Sequence, residues 1–114
     1  MEIKIGNRFV GENHPTYFVA DIAANHDGSL ERAKYLIRLA KQAGADAAKF
    51  QNFRAAKIVS DYGFRSMGSQ QSHQSTWKQS VFEVYRGASI PFEWTPELKA
   101  VCDEVGIDYF SSPY

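Results

Sequence analysis

The sequence has almost no means of covalent cross-linking. Cys102 is the single cysteine among 114 residues, so no disulfide can form within the chain. One thiol fits a reducing compartment. A charge excess of either sign is also missing. Lys+Arg and Asp+Glu number 13 each, which removes the electrostatic footprint expected for nucleic acid or an anionic membrane as partner. Long apolar runs are absent too: nowhere do about 18 apolar residues follow one another, as a membrane span requires. The opening MEIKIGNRFVG carries no apolar h-region of a secretion signal. These absences lead us to expect a soluble, cytoplasmic protein with neither nucleic acid nor membrane as partner. No internal repeat stands out, and the polar Ser/Gln-rich stretch from Ser66 to Thr76 is short.

What is present argues for a folded chain. Aromatics reach 14%, too many for disorder although the mean hydropathy is −0.40. The length suits one small domain with a modest core. Residues 2–10 alternate around Gly6-Asn7 and predict a hairpin with a two-residue turn. Tyr17 to Ala24 is a compact apolar run broken by Asp21, as in a strand covered on both faces. Asn25-His26-Asp27-Gly28 has turn chemistry, and Ser29 is a candidate N-cap with Glu31 in the first turn.

Leu30, Ala33, Leu36, Ile37, Ala40 and Ala43 then recur at helical spacing, and Gly44 stands where a helix-ending glycine belongs. Ala45 to Gln51 predicts a second strand. Strand, helix and strand within about 35 residues predict a βαβ unit with parallel strands. Asn52 to Thr76 is long and polar, the kind of segment that is usually functional or mobile. A short helix is predicted through WKQSVFEVY, ending near Gly87. Thr95-Pro96-Glu97 predicts another, with Thr95 as N-cap and Pro96 in the first helical position. Its stripe of Leu98, Val101, Cys102 and Val105 makes Cys102 a core residue rather than a nucleophile. Gly106 closes that helix, and Ile107 to Ser112 predicts a third parallel strand. Three such strands do not close a barrel, so residues 1–114 are expected to form one partial domain, the first part of a larger (β/α) protein.

Strand alternation picks out the chemistry. Ala47, Lys49 and Gln51 share one face, and Val19, Asp21 and Ala23 share one on the preceding strand. If the polar faces meet, Asp21 approaches Lys49 and Ser112 joins them from the third strand, toward the carboxyl ends where ligands bind in such sheets. Lysine is seldom buried without a partner. Two readings of Lys49 follow: an internal salt bridge with Asp21, or a cation that holds a phosphate or carboxylate while Gln51 hydrogen-bonds a hydroxyl or amide. His26 is either a turn residue or part of the site. His14 and His73 fall in loops and are expected to be solvated; Arg54, Lys57 and Arg65 are expected to be surface charges. No two histidines have metal-ligand spacing, and the glycines match no phosphate-loop or dinucleotide fingerprint.

The stretch VADIAANHDGSLERAKYLIRLAKQAGADAAKFQNF resembles the opening of the sialic acid synthase family, whose pattern runs close to IAEIGxNHxGxxxxAxxLIxxAxxAGADxxKFQ. EWTPELKAVCDEVGIDYFSSPY is similar to the same family's third-strand region, which ends in a Ser-Thr-Pro-Phe-like turn. The resemblance implies the N-terminal portion of a (β/α)8 TIM barrel behind a β-hairpin, often followed by an antifreeze-like domain. It implies a transferase that condenses phosphoenolpyruvate with an N-acylated amino sugar such as N-acetylmannosamine. The products would be a nonulosonic, sialic-type acid for surface polysaccharide and phosphate. Synthases of pseudaminic or legionaminic acid and spore-coat polysaccharide proteins are near neighbours in function. A divalent metal, Mg²⁺ or Mn²⁺, would polarise the sugar aldehyde, held by histidines on later strands that this sequence lacks.

Carried over residue by residue, Lys49 matches the phosphoenolpyruvate-binding lysine, Ser112 a hydroxyl on the same ligand and Gln51 a sugar-site residue. Asn25, of the shared Asn-His pair, joins the substrate-binding set. Asp21 falls where the pattern has Glu and counts with Lys49 as catalytic; its shorter side chain withdraws the carboxylate by about 1.5 Å, one C–C bond. A different class of reading is a non-catalytic sugar- or phosphate-binding or assembly piece, pairing through an open strand edge as in a homodimer.

Overall fold

The computed structural model describes residues 1–58, 60–66 and 79–114. A two-stranded antiparallel hairpin comes first, β1 (Glu2–Ile5) and β2 (Arg8–Gly11). Ile5 pairs with Arg8 across Gly6-Asn7, and of the two turn residues only Gly6 has positive φ, at 57°. That is the pattern of a II′ turn, whose twist matches the flanking strands. A separate parallel sheet follows in the order β3 (Val19–Ala23), β4 (Ala47–Asn52), β5 (Asp108–Pro113).

Between β3 and β4 lies α1 (Leu30–Gln42). Ser29 is its N-cap, the hydroxyl accepting from the Arg32 N–H at 3.1 Å, and Gly44 follows the helix at φ 93°. Both features stand where the sequence predicts them. Between β4 and β5 come α2 (Ala55–Ile58), α3 (Asp61–Ser66), α4 (Val81–Ala88) and α5 (Trp94–Val105). The segment predicted as a long loop therefore begins with two short helices. Ser80 caps α4, accepting from the Glu83 N–H at 3.2 Å, whereas the predicted start at Trp77 lies outside the described residues.

One expectation is corrected. Thr95 does not cap α5, because the helix starts one residue earlier, at Trp94. The Trp94 N–H donates to the Pro91 carbonyl at 3.0 Å and the Thr95 N–H to Phe92 at 3.2 Å, so the turn is already wound before Thr95. The Thr95 hydroxyl instead accepts from the Asn52 amide at 3.4 Å, tying the helix to the end of β4. Gly106 ends α5 in the left-handed region at φ 81°, as predicted.

The helices cover one face of the sheet. Ile22, Ala48 and Phe50 meet Ala33, Ile37 and Ala40 of α1 and Leu98, Val101 and Cys102 of α5, with Ile90 and Ile107 completing the core. Phe50, Ile37, Ile90 and Leu98 are almost wholly buried; burying each is worth roughly 1.5–3 kcal/mol. Cys102 sits within this core, where burial pushes its thiol up to about 11, so it is no nucleophile at neutral pH. Ion pairs Lys34–Glu97 at 2.8 Å and Arg38–Glu104 at 3.1 Å join α1 to α5 outside the core.

The hairpin docks at the amino end of the sheet through Arg8. Its guanidinium reaches Asp46 at 3.3 Å, Asp108 at 3.2 Å and the Gly106 carbonyl at 2.8 Å. Tyr17 donates to Asp108 at 2.6 Å, and burial together with that carboxylate raises the phenol's pKa. His14, expected to be solvated, instead binds Glu2 and stacks on Phe9, while His73 lies outside the described residues. Among the described residues no helix is long and apolar enough to cross a membrane.

Candidate active site

The face of the sheet away from the helices carries the polar groups. Asp21 pairs in register with Lys49, and Lys49 with Phe110; one step on, Gln51 pairs with Ser112. Paired residues in a parallel sheet project to the same side, so alternation places Asp21, Lys49, Gln51 and Ser112 together. Lys49 Nζ lies 3.8 Å from an Asp21 carboxylate oxygen, an ion pair slightly too long for a direct hydrogen bond. The Lys49 side chain is 35% exposed and that of Asp21 57%, so neither charge is buried. The predicted approach of these two groups is found, and Ser112 lies opposite Gln51 rather than Lys49. Gln51 and Ser112 make no side-chain hydrogen bond among the described residues.

The turn after β3 has a different character. The Asn25 amide donates back to the Ile22 carbonyl at 2.9 Å, and the Asn25 carbonyl accepts from Arg32 at 2.6 Å. Asn25 thus closes the turn, while lining with Asp21 and Arg32 an open groove of about 410 Å³ along the β3 edge. His26 is fully buried; its Nδ1 accepts from the Gly28 N–H at 2.9 Å and its ring lies edge-on to Trp94 at 5.5 Å. Because Nδ1 accepts, the neutral ring carries its proton on Nε2. Nε2 is buried without a hydrogen-bond partner among the described residues. Burial lowers the imidazole pKa; the Ala88 backbone and the Asp27 charge only partly oppose this, the former without reaching bonding geometry. Of the two readings left open for His26, the geometry favours the turn residue.

Sequence reasoning missed Ala23. It sits at the irregularity that ends the β3–β4 pairing, with φ at 50°, a region alanine rarely enters. The signal was available, since the pattern quoted above has glycine at this position. Asn52 was missed as well: it is buried on the helix side and bonded by Ser111, Tyr109 and Thr95.

No three His, Cys, Asp or Glu residues cluster among the described residues in a way that would hold a metal ion. Asp21 offers one carboxylate and already faces Lys49. The described residues therefore supply no metal site of their own; the resemblance assigns the ion's histidine ligands to later strands outside this sequence.

With this geometry in hand, comparison with known proteins settles the family. The NeuB family model matches residues 36–114. The chain belongs to the NeuB family. Human N-acetylneuraminate-9-phosphate synthase is 32% identical over 105 residues, spanning 92% of this chain and 28% of that protein. Pseudaminic acid synthase of Campylobacter jejuni is 32% identical over 118 residues, 98% of this chain and 32% of that protein. The crystal structure of N-acetylneuraminic acid synthetase from Leptospira borgpetersenii, in complex with citrate, superposes on the whole chain at a TM-score of 0.76. It is 24% identical, and 34% of that protein is covered. The chain therefore spans about a third or less of the NeuB proteins it matches. Their likeness bears out both the resemblance and the fold class: the hairpin and three parallel strands match part of a TIM-barrel protein.

Proposed function

We propose that this chain supplies the first strands of the active site of a nonulosonic acid synthase. That enzyme would join phosphoenolpyruvate to an N-acylated amino sugar of the N-acetylmannosamine kind. The observation that carries this is the ammonium of Lys49. It stands on the open face of the sheet, close to one carboxylate, with Gln51 and Ser112 beyond it free of partners among the described residues. A cation at that place suits the phosphate or carboxylate of phosphoenolpyruvate, and a phosphate would shift Lys49 from a long ion pair to a short charge-assisted one. Ser112 would donate to the same anion, and Gln51 would meet the sugar's hydroxyl or amide.

In the reaction, the methylene carbon of phosphoenolpyruvate bonds to the aldehyde carbon of the sugar. Water supplies the oxygen of the new keto group and phosphate departs. Lys49 would hold the developing negative charge on the phosphate side. Asp21 keeps that ammonium oriented and offers a carboxylate at the reacting end. The full polypeptide carrying these residues should release phosphate from phosphoenolpyruvate only when an amino sugar and a divalent metal are both supplied. Assaying N-acetylmannosamine against the precursors of pseudaminic and legionaminic acids would identify the acceptor. Phosphate release that ignores every amino sugar would refute the proposal.

A further inference from the structure

The turn between β3 and α1 hangs on one buried side chain. Of residues 24–29 only His26 is buried, and it is fully covered by this chain's own elements. The Gly28 N–H donates to its Nδ1 and the Ser29 N–H to its carbonyl, both at 2.9 Å. Just before it, the Asn25 N–H and side-chain amide donate to the Ile22 carbonyl, at 3.0 and 2.9 Å. Ile22 adjoins Asp21, whose carboxylate faces Lys49. The imidazole also reaches out of its turn: its ring meets Trp94 of α5 edge-on, and its Nε2 stays unbonded beside the Ala88 backbone of α4. The condensation described above uses none of these contacts.

We propose that His26 is a positioning residue: its neutral ring pins the β3–α1 turn, and through Asn25 and Ile22 the Asp21 carboxylate beside Lys49, until a proton on the ring releases it. The ring holds Gly28 only as an acceptor. Its one proton is on Nε2, so a second goes to Nδ1 and meets the Gly28 N–H donor head-on. That bond breaks, and a full charge is left where no surface reaches water. The groups packed around it offset the charge poorly. From α5 comes the neutral Trp94 ring and from α4 a backbone group. Asp27, the charge that acts on the ring, is 75% exposed and lies 3.5 Å from Arg32. Any movement of the charged ring toward water carries Asn25 with it.

The test uses the full polypeptide with two variants. His26→Asn keeps an acceptor near Nδ1 and does not titrate; His26→Leu fills the space without an acceptor. Amide exchange of residues 24–29 is followed between pH 7.5 and 5, with the ring's protonation read from its imidazole NMR signals. Phosphoenolpyruvate affinity is measured by calorimetric titration over the same range. As the ring charges in the wild type, Gly28 protection and phosphoenolpyruvate affinity should each fall by roughly 2- to 12-fold, the worth of one hydrogen bond. That fall is counted beyond any change shown by His26→Asn, and His26→Leu should show it already at pH 7.5. Unchanged Gly28 protection around a charged ring, or a ring that stays neutral until the protein unfolds, overturns the proposal. So do equal losses in both variants at pH 7.5, since the ring would then only fill space. Lost protection with affinity unchanged overturns the link to Asp21. The affinity measurement rests on the condensation reading and the exchange measurement does not. A wild type that binds no phosphoenolpyruvate therefore refutes that reading, and exchange still decides whether His26 pins the turn.

Discussion

Lys49→Ala separates the two readings of the lysine, because they predict opposite pairs of results. As an internal salt bridge, Lys49 would matter for stability. Losing one partner of a truly buried pair costs about 3–5 kcal/mol, since the other charge is left stranded. Within residues 1–114 Asp21 is 57% exposed and the pair is separated by 3.8 Å, so in this chain water can solvate the carboxylate once the lysine is gone. The expected loss is that of a solvent-screened pair, about 0–1 kcal/mol. Ligand binding should change far more. A hydrogen bond to a charged group contributes about 1.5–3 kcal/mol, so phosphoenolpyruvate affinity should fall by roughly 10- to 150-fold. Urea denaturation and calorimetric titration of phosphoenolpyruvate into the full polypeptide read the two quantities side by side. A stability loss above about 3 kcal/mol with affinity unchanged would refute the ligand role and return Lys49 to the interior.

The remaining predictions concern the backbone, the turn histidine and the hairpin. Ala23→Gly should stabilise the protein slightly, by about 0.5 kcal/mol. The left-handed region costs a non-glycine residue about 1–2 kcal/mol, and the extra freedom of unfolded glycine offsets about 0.4–1. A downward shift of the urea midpoint would show that φ at Ala23 is unstrained. His26 is buried with its pKa lowered, so the unfolded chain binds a proton more readily than the folded one. Stability is then fully present above the ordinary histidine value of about 6.5 and is lost as pH falls through the folded pKa. Melting curves from pH 7.5 to 5 should show this decline in the wild type and a flatter one in His26→Gln. Arg8→Ala removes contacts to Asp46, Asp108 and the Gly106 carbonyl, all partly exposed, and should cost about 1–3 kcal/mol. Amide exchange should quicken first in residues 2–11; unchanged protection there would mean that the hairpin is held by other contacts.

Most of the fold was legible because local rules and packing agree. Ser29, the apolar stripe of α1 and Gly44 each predict the same helix, and each is found in its expected role. The start of α5 was misread because Thr95-Pro96 satisfies a local capping rule that tertiary structure overrides. The Thr95 hydroxyl is engaged by Asn52, a partner 43 residues away, and no local pattern encodes that. The same limit applies to Asp108. Its position on a strand was legible, but its bonds to Arg8 and Tyr17 depend on where the hairpin folds back. Alternation alone sufficed for the meeting of Asp21 and Lys49, because a parallel register needs only the strand starts. Asn25 shows the reverse: the family pattern supplied a role, and the geometry shows an amide already closing its own turn.

The polar groups of the open face divide by height along the strands, and that division is what favours a ligand. At the amino end of that face, Asp108 accepts from Arg8 and Tyr17; Asp46, just before β4, accepts from the Phe18 N–H at 2.8 Å and also pairs with Arg8. Each carboxylate there is neutralised and hydrogen-bonded, as a purely structural cluster should be. Toward the carboxyl end the groups are of the same chemical kinds but are left loosely matched. Lys49 and Asp21 stand 3.8 Å apart, Gln51 and Ser112 have no partner among the described residues, and Ala23 holds a strained φ beside them. A sequence able to satisfy one end so fully would gain stability by satisfying the other. Loosely matched polar residues and backbone strain at the carboxyl end are consistent with the proposed site for an anion and a sugar.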